Sequence, residues 1–382
     1  MKYKKMVALM LAGMLAAAAV GGCTPKEEEE SAVEEPTVEE ETVELPAIPE
    51  ADKDYVVRIG YYNCDHMTAA PIALAAGLYE KYGLTTEVVG NGNVPQAMTA
   101  GQMDAGYIGV EGLMKAFSKG APIVVAADNH LGGSYYLIAS NDITDAEQLV
   151  GQKVGFGTNP ESSSSWLVMA KELGLPVAGS NYESFDMSDK DEYLAMKTGQ
   201  LKAYTTCDPW GSMAVYEGTG HVLAMADKIP TTGDWAACCQ LSMSQDFYDN
   251  HPELATRVIA AHVDAIEMIY TQPMEAARLF ATAYSVPEEV ALMTIWRKTV
   301  AEGRTMVWEI DRQRFEDEVA WDLEAKSIDV APDLDALLQT GLLEAAPVDD
   351  FATFIKEEVD PVFPIGMPYE DWKLKAAEVD KG

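Results

Sequence analysis

From Asp54 onward the apolar residues follow two rhythms. Short runs rich in β-branched and aromatic residues alternate with longer stretches whose apolar positions recur every three or four residues. These are the signatures of strands and of amphipathic helices. The pattern predicts strands at 56–62, 85–89, 105–108, 123–127, 134–139, 153–157, 182–185, 203–206, 222–225 and 236–243. Between them it predicts helices at 69–82 (closed by Gly83 as C-cap), 95–100, 112–118, 163–173, 190–198 and 210–217. Beyond residue 250 the chain turns mostly helical, with helices expected at 251–270, 274–284, 288–300 and 312–325.

Alternation of this kind argues for an α/β fold on largely parallel sheets. The body exceeds the size at which a single core keeps growing, so two lobes are expected. The order of elements places lobe 1 at 54–140 and 236–345, with lobe 2 inserted at 141–235. Residues 346–382 are expected as a C-terminal extension packing on lobe 1. Two crossovers make a hinge, and a ligand would sit in the cleft, beyond the carboxyl ends of the strands.

The N-terminus sets an expected compartment. Lys2, Lys4 and Lys5 precede an apolar run from Met6 to Val20 and the small pair Gly21-Gly22, the layout of a secretory signal rather than of a membrane span. Residues 1–22 are therefore expected as a signal peptide. Val20-Gly21-Gly22-Cys23 resembles the lipobox of bacterial lipoproteins, which implies cleavage before Cys23 and its lipidation, anchoring the protein at the outer face of the cell membrane. Residues 23–53 are expected as a disordered acidic tether. From Thr24 to Lys53 there are twelve acidic residues against two lysines, with too little apolar surface to offset the entropy of ordering.

The net charge is −35, and most of it lies in the body, which argues against nucleic acid and anionic lipid heads as partners. Only four cysteines follow Cys23 (Cys64, Cys207, Cys238, Cys239), too few for a disulfide scaffold.

Several strings, in order, carry a resemblance. They are His66-Met67-Thr68-Ala69-Ala70-Pro71 through Ala75-Ala76-Gly77-Leu78-Tyr79 to Tyr82-Gly83-Leu84, then Gly101-Gln102-Met103-Asp104-Ala105-Gly106, Lys119-Gly120-Ala121-Pro122-Ile123, and the run from Asp145 to Lys153. Over residues 55–345 the chain resembles the nitrate/sulfonate/taurine-type substrate-binding proteins of ABC importers. The resemblance implies a type II periplasmic-binding-protein fold, with two α/β lobes joined by a two-crossover hinge and a helical C-terminal part. It also implies no catalysis, no cofactor, and delivery of a small molecule from a monomeric binder to a permease and its ATPase. One branch of that family binds pyrimidine precursors of thiamine and carries a CCCFC run. Here Trp235-Ala236-Ala237-Cys238-Cys239-Gln240-Leu241 occupies the corresponding place and matches only two of its cysteines, so the pyrimidine is one option among several.

Candidate ligand contacts fall at strand ends and the loops after them. They are Asn63, Cys64 and His66 after the first strand, Glu111 after the third, and Asn129 and His130 after the fourth. In lobe 2, Ser162, Ser163 and Ser164 open a helix, where hydroxyls and free N–H groups suit a polar ligand group, although one serine suffices as a cap. Cys207, Asp208 and Trp210 end a strand and open a helix, with Asp208 read as cap and Pro209 as the first helical residue. Trp235 and Cys238 lie on the return to lobe 1.

The cysteines and histidines are far apart in sequence, and three readings stay open. They are buried small side chains, a soft-metal or metal-complex site using Cys64, His66 and Cys207, or thiol contacts to an organic, heteroaromatic ligand. No arginine occurs between Arg58 and Arg257. The cleft therefore lacks the usual bidentate partner for sulfonate or carboxylate, which favours a neutral, zwitterionic or cationic ligand. A Cys/His enzyme akin to thiamine-pyrimidine synthesis and a ligand-sensing receptor subunit are the competing classes. The loop 157–166 lacks the lysine of a phosphate loop.

Overall fold

Among the described residues, ten strands build two five-stranded sheets that share one plan. In the computed structural model, which describes residues 45–380 apart from 63, 91–92, 133–134 and 227, the first sheet holds β1 (Val56–Tyr61), β2 (Thr85–Gly90), β3 (Ala105–Gly109), β4 (Ile123–Leu131) and β10 (Ala237–Ser244). Its order is β2-β1-β3-β10-β4, with β1 parallel to β2 and β3, and β10 antiparallel to β3 and β4. The second sheet runs β7-β6-β8-β5-β9, from β5 (Tyr135–Ser140), β6 (Lys153–Gly155), β7 (Glu183–Phe185), β8 (Ala203–Cys207) and β9 (Gly220–Ala226). There β5 is the antiparallel insert, between β8 and β9. Each sheet thus receives one crossover strand, β5 on the way out and β10 on the way back. This is the two-lobed α/β plan expected from the sequence.

The signal peptide 1–22, Cys23 with its lipidation, the tether up to residue 44, and Asn63 lie outside the described residues. Three expectations need correction. First, β5, placed at the end of lobe 1, belongs to the second sheet, as its fourth strand in order, because the chain crosses as soon as it leaves β4. Second, the last residues of the supposed tether are folded. A short turn of helix at Glu50–Asp52 buries the Asp52 carboxylate 2.8 Å from His251 Nδ1, Arg257 donates to the Pro46 carbonyl at 2.8 Å, and Ile48 packs on the main core. Third, the helix expected over 69–82 breaks into Ala69–Ala75 and Leu78–Lys81 at Gly77, whose φ of +69° interrupts the helix.

The large core of lobe 1 gathers Val57, Ile59, Tyr107, Val124 and Leu241 from the sheet against helix Pro252–Thr271. Residues beyond Ala345 join it through Phe354, Val359, Phe363 and Trp372. Phe315 and Val319 of helix Arg312–Ala325 close a second cluster on the other face of the same sheet. That helix brings its next turn to the cleft between the lobes.

Candidate functional site

The cleft has a volume of about 230 Å³ and two chemically distinct walls. Lobe 1 supplies His66, the turn Gly109–Gly112, the start of β10 at Ala236–Cys239, and Glu318 and Trp321. Lobe 2 supplies Tyr135, Ser164, Ser165, Val168 and the segment after β9. The turn at Gly109 is tight because helix Val110–Ser118 starts directly after β3, which sets Glu111 in the first helical turn. The cleft is bridged at one side, where Trp321 Nε1 donates to Ser164 Oγ at 3.1 Å.

Beneath the cleft lies a buried thiol and imidazole cluster. Donor atoms of Cys64, Asp65, His66 and Cys207 all fall within 4.8 Å of one another, as do those of His66, Cys238 and Cys239. His66 joins the two groups. Cys238 Sγ lies 3.6 Å from both His66 Nδ1 and Cys239 Sγ, and His66 Nε2 lies 3.6 Å from Asp65 Oδ1. Asp65 is paired with Lys298 at 2.5 Å, and Lys298 also donates to His130 Nε2 at 2.8 Å. The His66 and His130 rings stack with centroids 4.7 Å apart.

The charges in this cluster follow from burial and pairing. Burial pushes the Asp65 carboxyl up to about 7, although Lys298 pulls the other way. Burial and the Lys298 ammonium hold His130 down to about 3, so it is the neutral acceptor that its hydrogen bond requires. His66 is raised, because Cys238, Asp65 and Cys64 outweigh its burial. Cys238 is lowered by the Cys239 thiol and then by His66, against its burial. The Cys64 and Cys207 sulfurs lie within 4.8 Å of each other across the two lobes. Despite burial, the Cys207 thiol and His66 bring Cys64 down to about 5, while the bond to Cys64, followed by burial, raises Cys207. The Cys64, Asp65, His66 and Cys207 set has the donor chemistry to hold a soft cation, with Asp65 already engaged by Lys298.

Of the residues expected to line the cleft, His66, Glu111, Ser164 and Cys238 do so. Cys64 and Cys207 are buried below it, and Cys207 Sγ donates to Asp189 at 3.2 Å. Asn129 and His130 are not in a loop: β4 runs on to Leu131, so both are fully buried, and the Asn129 amide donates to the His66 carbonyl. Ser162 bonds back to the Asn159 carbonyl, and Ser163 caps its helix by accepting the Trp166 N–H.

Asp208 is buried, and its carboxylate accepts from the Ser212 N–H and hydroxyl at 2.7 Å and from Thr294 at 3.1 Å. The helix it serves begins at Trp210, with Pro209 outside as the cap rather than as its first residue. Trp210 packs near Tyr193, ring centroids 5.8 Å apart, in the lobe 2 core. Trp235 lies beneath Lys228 and against Gly303, away from the cleft lining. Arg257 and Arg304 are spent on Pro46, Thr299 and Asp360, so neither reaches the cleft.

Sequence reasoning missed Tyr135, Glu318 and Trp321. Tyr135 was read as ordinary strand. Glu318 and Trp321 are three apart on a helix, a signal for a shared face that gives no indication of what that face meets.

Comparison with known proteins places this geometry in a wider group. The model of a family described as NMT1-like matches residues 50–285. A Brucella abortus (strain 2308) protein named "Putative binding protein" is 27% identical over 244 residues, spanning 62% of this chain and 74% of that one. Among solved structures, the alkanesulfonate-binding protein SsuA of Xanthomonas axonopodis, bound to MOPS, aligns with a TM-score of 0.63 at 16% identity, covering 78% of this chain and 100% of the other. The ligand-binding component of an ABC-type import system from Staphylococcus aureus, with zinc bound, gives 0.61 at 17% identity, covering 77% and 99%. The nitrate-binding protein NrtA of Synechocystis gives 0.57 at 16%, covering 85% and 98%. The shared fold is that of the periplasmic binding proteins.

Proposed function

The chain belongs to the NMT1-like family, and from that premise we propose that it is the solute-capturing component of an ABC importer. It takes a small organic molecule into the interlobe cleft outside the cell and presents it to a permease coupled to an ATPase. The observation that carries this reading is the cleft itself, a cavity of about 230 Å³ walled by residues of both lobes at a two-strand crossover. Lipidated Cys23 and the acidic segment after it would hold the binder at the membrane surface, long enough to reach a permease. The same family premise, together with relatives and structural neighbours named for binding, supports a binder over an enzyme.

Binding of this kind proceeds by hinge closure, because a ligand that touches both walls favours the state in which they approach. Small-angle scattering of the purified protein, with a screen of thiamine precursors, other heteroaromatics, sulfonates and soft metals, is expected to show compaction with the compound that binds. Saturating binding with an unchanged scattering profile would count against the reading.

A further inference from the structure

Two acidic side chains, Glu111 and Glu318, line the cleft, and a third, Asp322, is buried beside them. Glu111 opens helix Val110–Ser118, and Glu318 and Asp322 lie one turn apart on helix Arg312–Ala325. They are close enough that Asp322 and Glu111 both act on Glu318, and Glu111 acts on Asp322. Lys115 answers Glu111 through an i, i+4 pair and also offsets Asp322.

Of the three, Glu318 is the one that is both buried and part of the cleft lining: Glu111 is partly exposed, and Asp322, whose Oδ2 is also unpartnered among the described residues, is not in the lining. Glu318 is only 5% exposed and has one buried oxygen, Oε2, with no hydrogen-bond partner among the described residues. The Ala237 N–H donates to its carboxyl. Burial, then Asp322, Cys238 and Glu111, push this carboxyl up to about 9. No arginine lines the cleft. Lys228 lines it from an exposed position, over the Trp235 ring. One turn from Glu318, the Trp321 indole lines the same wall, with Tyr135 opposite on lobe 2.

A buried carboxyl with a free oxygen, crowded by like charges, is costly unless something brings hydrogen-bond donors and positive charge to it. Resting on the binding reading above, we propose that the cleft takes a small, flat organic cation: an amidinium, a guanidinium or a protonated nitrogen heterocycle. Two N–H groups on such a cation match the carboxylate fork of Glu318, and its planar π-face suits the Trp321 and Tyr135 walls. An anion of the same size would meet Glu111 on this wall and would find no arginine among the described lining residues to pair with. The selectivity is thus opposite in sign to that of the sulfonate- and nitrate-binding neighbours, on a shared fold.

Isothermal titration of the intact protein with benzamidine, benzamide and benzoate varies the charge on one ring at nearly constant shape. Benzamidine is expected to bind about tenfold or more tighter than benzamide, the worth of one charge-assisted hydrogen bond, with benzoate weakest. Glu318→Gln should lower the benzamidine affinity about tenfold while changing that of benzamide by less than about threefold. It should also melt no lower than wild type, since it removes a buried unpaired acid.

Benzamide or benzoate binding as tightly as benzamidine would overturn the assignment, as would an E318Q variant that keeps wild-type affinity for benzamidine, or no heat from any of the three. Scattering separates that failure from failure of the binding reading. Compaction with benzoate, or with another compound from the screen, leaves a binding protein of different selectivity, whereas saturation without compaction removes the hinge-closing binder itself.

Discussion

The buried ionisable groups fall into those with a partner and those held against repulsion. Asp65 has Lys298, and Asp128 has Arg314 at 3.8 Å. Glu192 belongs to the second kind. It is fully buried in lobe 2, accepts the Gly157 N–H at 2.8 Å, and has an unpartnered Oε2 among the described residues. It occupies the space above Gly155, where an added Cβ would sit 2.5 Å from its Oε1. Burial, followed by the nearby Asp189, pushes its carboxyl up to about 9. Between the unfolded carboxyl range near pH 4.5 and that value the native state holds the extra proton, so this group's contribution to stability falls as pH rises. Glu192→Gln is expected to flatten the fall in urea midpoint between about pH 5 and pH 8 relative to wild type. Identical pH slopes for the two proteins would show that Glu192 does not hold its proton. None of this was legible in the sequence, where Glu192 stands among ordinary helix residues. The serine run was partly legible: one serine caps, as its position before a helix dictates, but only the fold shows that Ser164 meets Trp321.

At the scale of elements, the strand and helix periods were readable because each element buries one face against a sheet or helix of ordinary geometry. The misreadings occur where polar or charged residues are buried. The stretch Asp128-Asn129-His130 was read as a loop because it is polar. It is the last part of a strand buried along its whole length, where Asp128 pairs with Arg314, the Asn129 amide donates to the His66 carbonyl and His130 accepts from Lys298. The segment 46–53 was read as tether by its charge and proline content. Its polar groups find Arg257 and His251, and its one isoleucine finds the core. A chain beginning at Asp54 is therefore expected to be less stable than one beginning at Pro46 by about 1–3 kcal/mol, the cost of leaving Arg257 and His251 without these partners. Equal urea midpoints for the two chains would show that the segment contributes nothing.

At the scale of the molecule, the two lobes meet through contacts that each use one group from either side. The Asp65 N–H donates to the Asp208 carbonyl at 2.9 Å, Tyr136 donates to Glu302 at 2.7 Å, and the Arg297 guanidinium lies 5.1 Å over the Tyr136 ring. Cys64 and Cys207 add a thiol pair to this seam. The compaction expected in scattering belongs to this scale. In the proposed cycle, opening the cleft would part the Trp321–Ser164 bond and expose Glu318 to water, where its charge costs little. Closing desolvates it and makes a cationic ligand decisive. Ligand selectivity and hinge closure are, in the proposed cycle, two aspects of one electrostatic event.

The sequence by itself determined the ten strands found among the described residues, most of the helices as far as Ala325, the two-lobed plan and the absence of arginine from lobe 2. Those features follow from hydrophobic period and composition, which act locally along the chain. Only the tertiary structure decided that the four cysteines following Cys23 meet across two lobes, that Asn129 and His130 are interior, and that Glu318 and Trp321 line the cleft. Those depend on which distant surfaces come together. The cost of a buried charge is set by the neighbours that the fold supplies, and not by the residue's place in the chain.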